Sequence, residues 1–471
     1  MRIALQFVPE QSPAHRARLE YAFRLFCTVY GHRPLIGLHP GADIVLGYAP
    51  DITQQPALCL TNGYVVRPTA LPAPEPIPYE RIGINTVLFH EPLPGREPDW
   101  LGEIFEWVSC ADEYSIGEHD GAGRVPFSSS YIGRHRLDPC VPYAAVAMHF
   151  LQMGIERVCP RCSQERQRSR AFLTHMVVNT HDIDFLGGHK TDSSYRLAKN
   201  AVISFLLRHS PKAAANQAAH AVSVAMGGKD PLDQIPRLAA REFDKSITSS
   251  YYVLCRHGHR RDGNYHVGEP GAVEMMRHLP EGMEIGVHGS YCSLEDSDGL
   301  AVEFDRLREL GFNPIGGRQH WLRFTMQKLV NAVRQAGAAY DASLGWPDVI
   351  GYRAGACFAF PPYDFEREAA APFLEVPLAV MDQSVSHRSG MAAIRDLLKT
   401  SRRYAWGGIS VLWHPTAFGG GQFSENVGNA FWELLEEGLQ EGDTWLSGAS
   451  FVRTVWNRYA GAGLLPAGRF S

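Results

Sequence analysis

No stretch of the sequence approaches the roughly 18 consecutive apolar residues that a membrane-spanning helix needs, so no integral membrane segment is expected in these 471 residues. The opening residues, MRIALQFVPEQSP, hold an apolar run too short for a signal peptide and no small-residue cleavage site. The expected location is therefore cytoplasmic. A surplus of charge of one sign is also missing. With 45 Lys and Arg against 50 Asp and Glu, the net charge is −5, which lacks the basic excess of a sequence-independent nucleic-acid binder. There is no Walker-type phosphate loop and no G-x-S-x-G nucleophile elbow. The nine cysteines are scattered, and the one compact pair, Cys159 and Cys162, has no second pair to complete a zinc ribbon. Reduced thiols are the expectation for it.

What is present is an ordinary soluble composition, 45% apolar and 20% charged, on a chain long enough for two units. Residues 1–158 read as a smaller N-terminal α/β domain without a catalytic signature. It has helical spacing at Tyr21–Tyr30, Leu101–Val108 and Tyr143–Ile155, a strand at Ala42–Tyr48, and a proline-rich stretch from Pro68 to Pro78 that fits an extended connection. The polar, basic segment CPRCSQERQRSR places a linker at 159–171. From 172 to 471 strands alternate with helices, which implies parallel strands with crossover helices and hence a (β/α) barrel. Strands are expected at Met176–Thr180, Tyr251–Cys255, Glu284–His288, Ile350–Arg353, Glu375–Met381 and Gly408–Trp413. Helices are expected at Tyr195–Arg208, Val273–Leu279, Trp321–Gln335, Met391–Ser401 and Phe431–Leu439, with another carrying Leu300, Phe304 and Leu307.

In parallel barrels the reactive residues gather at the C-terminal ends of strands. Asp182 and Asp184 close the first strand, His288 ends EIGVH, Arg353 lies in GYRAG, Asp382 follows PLAVM and His414 ends SVLWH. Taken singly, each has a plain reading: an Asx turn, a core histidine, a surface ion pair. Their recurrence at strand ends is what packing does not require. Two carboxylates at i and i+2 face the same way on a strand and repel unless a cation lies between them.

On these residues the chain resembles the polysaccharide deacetylase superfamily, the NodB-homology or carbohydrate esterase family four enzymes. The likeness spans about Thr180 to Trp456. Asn179–Asp184 is similar to the first motif in its D-x-D form, Ile285–Ser293 to the second, Gly351–Gly355 to the third, Asp382 to the fourth and Leu412–Pro415 to the fifth. The segments Asp99–Arg124, EIGVHGSY, GGRQHWLRF and YDASLGWPDVIGYRAG resemble a subgroup that carries an N-terminal domain of unknown function and is associated with surface-polysaccharide biosynthesis. One departure stands out. The second motif usually supplies two histidines four residues apart, and here the later position is Cys292. The resemblance implies a distorted (β/α) barrel of the NodB-homology type and a metal-dependent carbohydrate deacetylase.

The implied site has Asp184, His288 and His320 holding a divalent metal, zinc by ligand type, with cobalt, nickel or iron also suited. Cys292 is the alternative third ligand. Asp182 is expected as general base, His414 as the acid toward the leaving amine, Arg353 as the group that orients Asp182, and Asp382 as an anchor for Arg353 or His414. The backbone N–H of Tyr291 is expected at the oxyanion. The expected partner is an acylated amino sugar or surface-polysaccharide precursor, with Trp321, Trp346 and Trp413 available either to stack on a sugar or to pack the barrel. The N-terminal domain is available to dock a partner. Two rivals are carried: a hydrolase of another C–N bond, formyl or cyclic, and a non-catalytic sugar- or partner-binding protein on the same fold. Cys255–His259, CRHGH, reads as a loop.

Overall fold

The computed structural model describes residues 1–7, 12–37, 39, 42–48, 64–66, 99–158, 174–188, 190–207, 209–387, 390–419 and 422–470. The chain opens with a parallel sheet of β1 (Arg2–Phe7), β2 (Arg33–Ile36), β3 (Ile44–Tyr48) and β4 (Tyr64–Val66), ordered β2-β1-β3-β4. The helix Pro13–Tyr30 starts where Ser12 accepts the amide of His15 and proline takes the first turn. It stops at Gly31, whose φ of 72° is open to glycine. Its buried face packs toward later residues: Tyr21 donates to the carbonyl of Pro361 at 2.6 Å, and Arg18 pairs with Glu368.

The larger sheet runs through β5 (Met176–Ile183), β6 (Ser250–Leu254), β7 (Glu284–Gly289), β8 (Gly316–Gln319) and β9 (Tyr340–Asp341). After a short hairpin of β10 (Tyr363–Asp364) and β11 (Ala369–Ala370) come β12 (Leu374–Glu375), β13 (Leu378–Met381), β14 (Gly407–Leu412) and β15 (Thr444–Leu446). The order is β12-β9-β8-β7-β6-β5-β14-β13, with β15 beside β5, and the pairings in this sheet are parallel. The two ends of that path, β12 and β13, are separated only by Val376 and Pro377. The edges are thus nearly continuous chain, and the sheet has to curl, as in a barrel-like fold. The stretch between them bonds both neighbours: the amide of Val376 donates to Asp341, and the carbonyl of Pro377 accepts from Ser410. Every residue of β5 and of β14 is buried, as expected for strands covered on both faces. In β8 a Cβ on Gly317 would lie 2.0 Å from the carbonyl oxygen of Val287, so only glycine lets β8 approach β7 this closely.

One cluster of buried side chains runs from Ile3 through Trp100, Tyr143 and Tyr252 to Leu465, so both halves of the chain share a core. The linker expected at 159–171, with Cys159 and Cys162, and the stretch Pro68–Pro78 lie outside the described residues. Among the described residues, no helix is long and apolar enough to cross a membrane.

Two local expectations are corrected. Ile350–Arg353 is not a strand but part of an irregular loop, because Gly351 holds a φ of 152° with its Cα against Pro139. The helix expected to start at Trp321 starts at Met326, because Trp321 and Leu322 adopt positive φ (63° and 49°), which a helix forbids.

Candidate metal centre

Strand alternation aims Thr180 and Asp182 into the barrel and turns Asn179 and His181 outward. Outward, His181 and Asn179 both bond the buried Glu242 of the surrounding helix layer. Inward, Asp184 lies one residue past β5, His288 stands near the end of β7 and His320 just past the end of β8. One donor atom from each of these three residues lies within 4.8 Å of the others.

The protons on the two rings follow from their partners. The Nδ1 of His288 lies 3.0 Å from the carbonyl of Arg318, and the Nε2 of His320 lies 2.7 Å from the carbonyl of Arg261. A carbonyl only accepts, so these nitrogens carry the hydrogens. The remaining nitrogens, Nε2 of His288 and Nδ1 of His320, present lone pairs 2.9 Å apart, each 3.2 Å from Oδ1 of Asp184. Three electron-pair donors converging on one point, each ring oriented from behind by a carbonyl, is the chemistry of a divalent-cation site. The donor set fits such a group. Burial opposes ionisation of Asp184, yet His320, His288 and His414 together hold its carboxyl well below the usual range. Burial likewise disfavours charge on His320, and Asp184 outweighs it, raising the imidazole above its ordinary value. Cys292 is not part of this group; burial, then Glu295, pushes its thiol up.

Asp182, 3% exposed, is held by Arg318, whose guanidinium is fully buried. Arg318 donates to Oδ1 of Asp182 at 2.9 Å, to Thr180 at 2.8 Å, to Ser410 at 3.1 Å and to the carbonyl of Ala342 at 2.7 Å. The role expected of Arg353 therefore falls to Arg318. Arg353 is instead turned away into a buried fork with Glu113, both bonds 2.7 Å, and donates from Nη1 to the carbonyl of Gly345 at 2.9 Å. Glu113, in the Asp99–Arg124 segment, is the partner that outcompetes Asp182. Just past the neighbouring strands β13 and β14, Asp382 accepts both the backbone N–H of His414 at 2.9 Å and its Nδ1–H at 3.0 Å. Nε2 of His414 is thereby left facing Oδ2 of Asp184 at 3.4 Å. Burial disfavours the imidazolium, but Asp382, with Asp184 and Asp182, pushes its pKa up to about 10. The amide of Tyr291, expected at the oxyanion, donates to Asp262 instead.

A cavity of about 290 Å³ opens over these groups, lined by Asp182, Asp184, His288, His320 and His414, with Arg124, Arg196, Arg261 and Trp321 among its other walls. Trp346 and Trp413 are 2% and 0% exposed and pack the barrel, whereas Trp321 is 45% exposed at the rim. Its backbone carbonyl accepts from Arg124 at 2.7 Å, and Arg323 donates to Ala122, so the early segment fixes the loop carrying His320. Arg261 lies over the rings of Tyr291 and Trp321 at 4.9 and 5.0 Å. Sequence reasoning missed Arg318, although it stands two residues before His320 and alternation marks Arg318 as inward-facing in β8. It also missed Arg261, two residues past the CRHGH segment read as a loop, and Arg196, which had no signal.

No family model and no curated protein matches the chain. Among solved structures, the chain is similar to a mutant of a CE4 family pseudoenzyme with restored enzymatic activity, at 11% identity over 59% of this chain and 68% of that one, with a TM-score of 0.29. A likeness at that level carries no functional argument. A curled parallel sheet of barrel-like topology, and a cluster of one carboxylate and two imidazoles that could hold a metal, are what the geometry itself establishes.

Proposed function

We propose that this chain is a metal-dependent hydrolase that removes an N-acyl group, most simply acetyl, from an amino sugar or a surface-polysaccharide precursor. The observation that carries the reading is the convergence of the lone pairs of His288 and His320 on Asp184, with Asp182 and His414 lining the same cavity. A divalent cation held by these three residues, zinc by ligand type, would supply an electrophile for the acyl carbonyl and make a water molecule easier to deprotonate.

The remaining work belongs to the chain's own side chains. Arg318 engages Oδ1 of Asp182, which leaves Oδ2 to take the proton of the attacking water. General-base assistance of this kind contributes about 10²–10⁴-fold. His414 enters as an imidazolium, its Nδ1–H fixed on Asp382, and releases the Nε2 proton to the departing amine. Arg353 braces the loop through Glu113 rather than touching the reacting groups, and Asp382 orients His414. The open cavity and the exposed rim of Trp321 suit a ring-sized substrate.

The test is elemental analysis of the purified protein together with amine release from a panel of N-acetylated, N-formylated and cyclic-amide substrates. About one metal per chain and release of an amino sugar support the reading. Absence of metal after loading with zinc, cobalt or iron would sink it and leave a binding protein.

A further inference from the structure

Between β5 and β6 the chain inserts a helical hairpin, Lys190–Leu206 and Pro211–Ala225. Its buried side is small. Phe185, Leu197, Ala221, Val224 and Leu232 form a cluster of their own, separate from the main core. Its outward side is apolar. Tyr195, Val202 and Leu206 recur at i, i+7 and i+11 on the first helix with Phe205 beside them, and Val222 and Met226 follow on the second and just past its end. These are large side chains left open, 72% for Tyr195, 60% for Phe205 and 83% for Met226. Scattered exposed apolar residues are ordinary; six on two adjoining helices mark a face that meets something.

The exposed charge on the hairpin is mainly positive. Lys199, Lys212 and Lys229 are exposed against Asp192, while Asp230 is taken up by Gly188, Ser193 and Leu232, in a chain whose net charge is −5. A second copy of the hairpin seated on the first would bring these cations together, which disfavours a self-dimer. An apolar face with exposed lysines is instead the composition that lies on a bilayer, with side chains in the acyl boundary and cations among anionic headgroups.

We infer that the hairpin docks the protein on the surface of an anionic phospholipid bilayer. Arg196 belongs to the same helix and lines the cavity over the metal centre, so the docking face and the cavity share one structural element.

Vesicle flotation of the full chain tests this. Vesicles of phosphatidylcholine alone are compared with vesicles containing about a quarter phosphatidylglycerol, at low and high salt. The expected result is flotation with the anionic vesicles, weakened by salt, and little with the neutral ones. A Phe205→Ser, Leu206→Ser double variant and a Lys199→Glu, Lys212→Glu double variant should each lose it while keeping the wild-type circular dichroism and melting temperature, since all four positions are exposed. No flotation at low salt, or flotation unchanged in both variants, overturns the inference. So does a stable dimer in light scattering that these substitutions dissociate, since the face would then belong to a second copy. None of these readouts depends on metal content or hydrolysis, so the docking inference and the hydrolase reading stand or fall separately.

Discussion

The guanidinium of Arg318 donates to Oδ1 of Asp182 across 2.9 Å, while the carbonyl of the same Arg318 accepts from Nδ1 of His288. One residue of β8 thus sets the orientation of the expected base and the tautomer of an expected metal ligand.

Replacing Arg318 by Met should therefore harm both stability and turnover. Breaking one side of a buried ion pair costs about 3–5 kcal/mol, and Asp182 loses its fixed rotamer as well. Arg353→Met should cost a similar amount through Glu113 but leave the geometry at Asp182 intact, so the two variants separate in kcat per folded molecule. Denaturation curves with kinetics on the amino-sugar substrate check this; equal losses of kcat would mean that Arg353 reaches the chemistry after all.

Metal should depend on three residues. Asp184→Ala or His320→Ala should lower bound metal to near zero, whereas Cys292→Ala should keep it. Asp182→Asn should also keep the metal while losing activity by about 10²–10⁴-fold. Metal content by elemental analysis beside turnover distinguishes these cases.

The His414 pair makes the metal-free protein sensitive to alkali. The folded pKa is raised from 6.5 to about 10, so protonation favours the folded state. That contribution is complete below about pH 6.5 and is lost as the pH climbs toward 10. Melting temperature should fall across that window and flatten in His414→Gln. A variant that keeps the wild-type slope would locate the titration elsewhere.

Trp321 sits at a φ of 63°, where a residue with a Cβ is strained and glycine is not. Trp321→Gly should therefore be more stable than Trp321→Ala by about 1 kcal/mol, although both remove the rim ring and should raise KM. Equal stabilities would show that the loop relaxes once the side chain is gone.

Strand alternation and strand-end placement made several strands of the sheet, with Asp184 and His288, legible in the sequence. The strand Gly316–Gln319 was not among those expected, so His320 rested on the resemblance. His320 came from the GGRQH segment, and its neighbour Arg318 was within reach of the same alternation rule. Other parts were not legible, for a physical reason. Arg353 had a plausible carboxylate in Asp182, and nothing local announces that Glu113, 240 residues away, sits closer. Ile350–Arg353 has strand-like residues, but the contact with Pro139 holds it in a loop. The helix Pro211–Ala225 escaped because its alanine-rich run shows weak apolar periodicity, whereas Gly448–Gly461, with Phe451, Val452, Val455, Trp456 and Tyr459 at helical spacing, was within reach.

β5 and β14 pair side by side, with Thr180 opposite Leu412, although more than half the barrel's sequence lies between them. The consequence is kinetic. Asp182 and His414 cannot face one another until the last third of the chain has emerged and found the first barrel strand, a closure of long loops that slows folding. During synthesis β5, buried throughout in the finished fold and in need of a partner on each edge, has to wait for β14. Crowding by other chains at that stage threatens the yield of active protein more than the equilibrium stability of the finished barrel does.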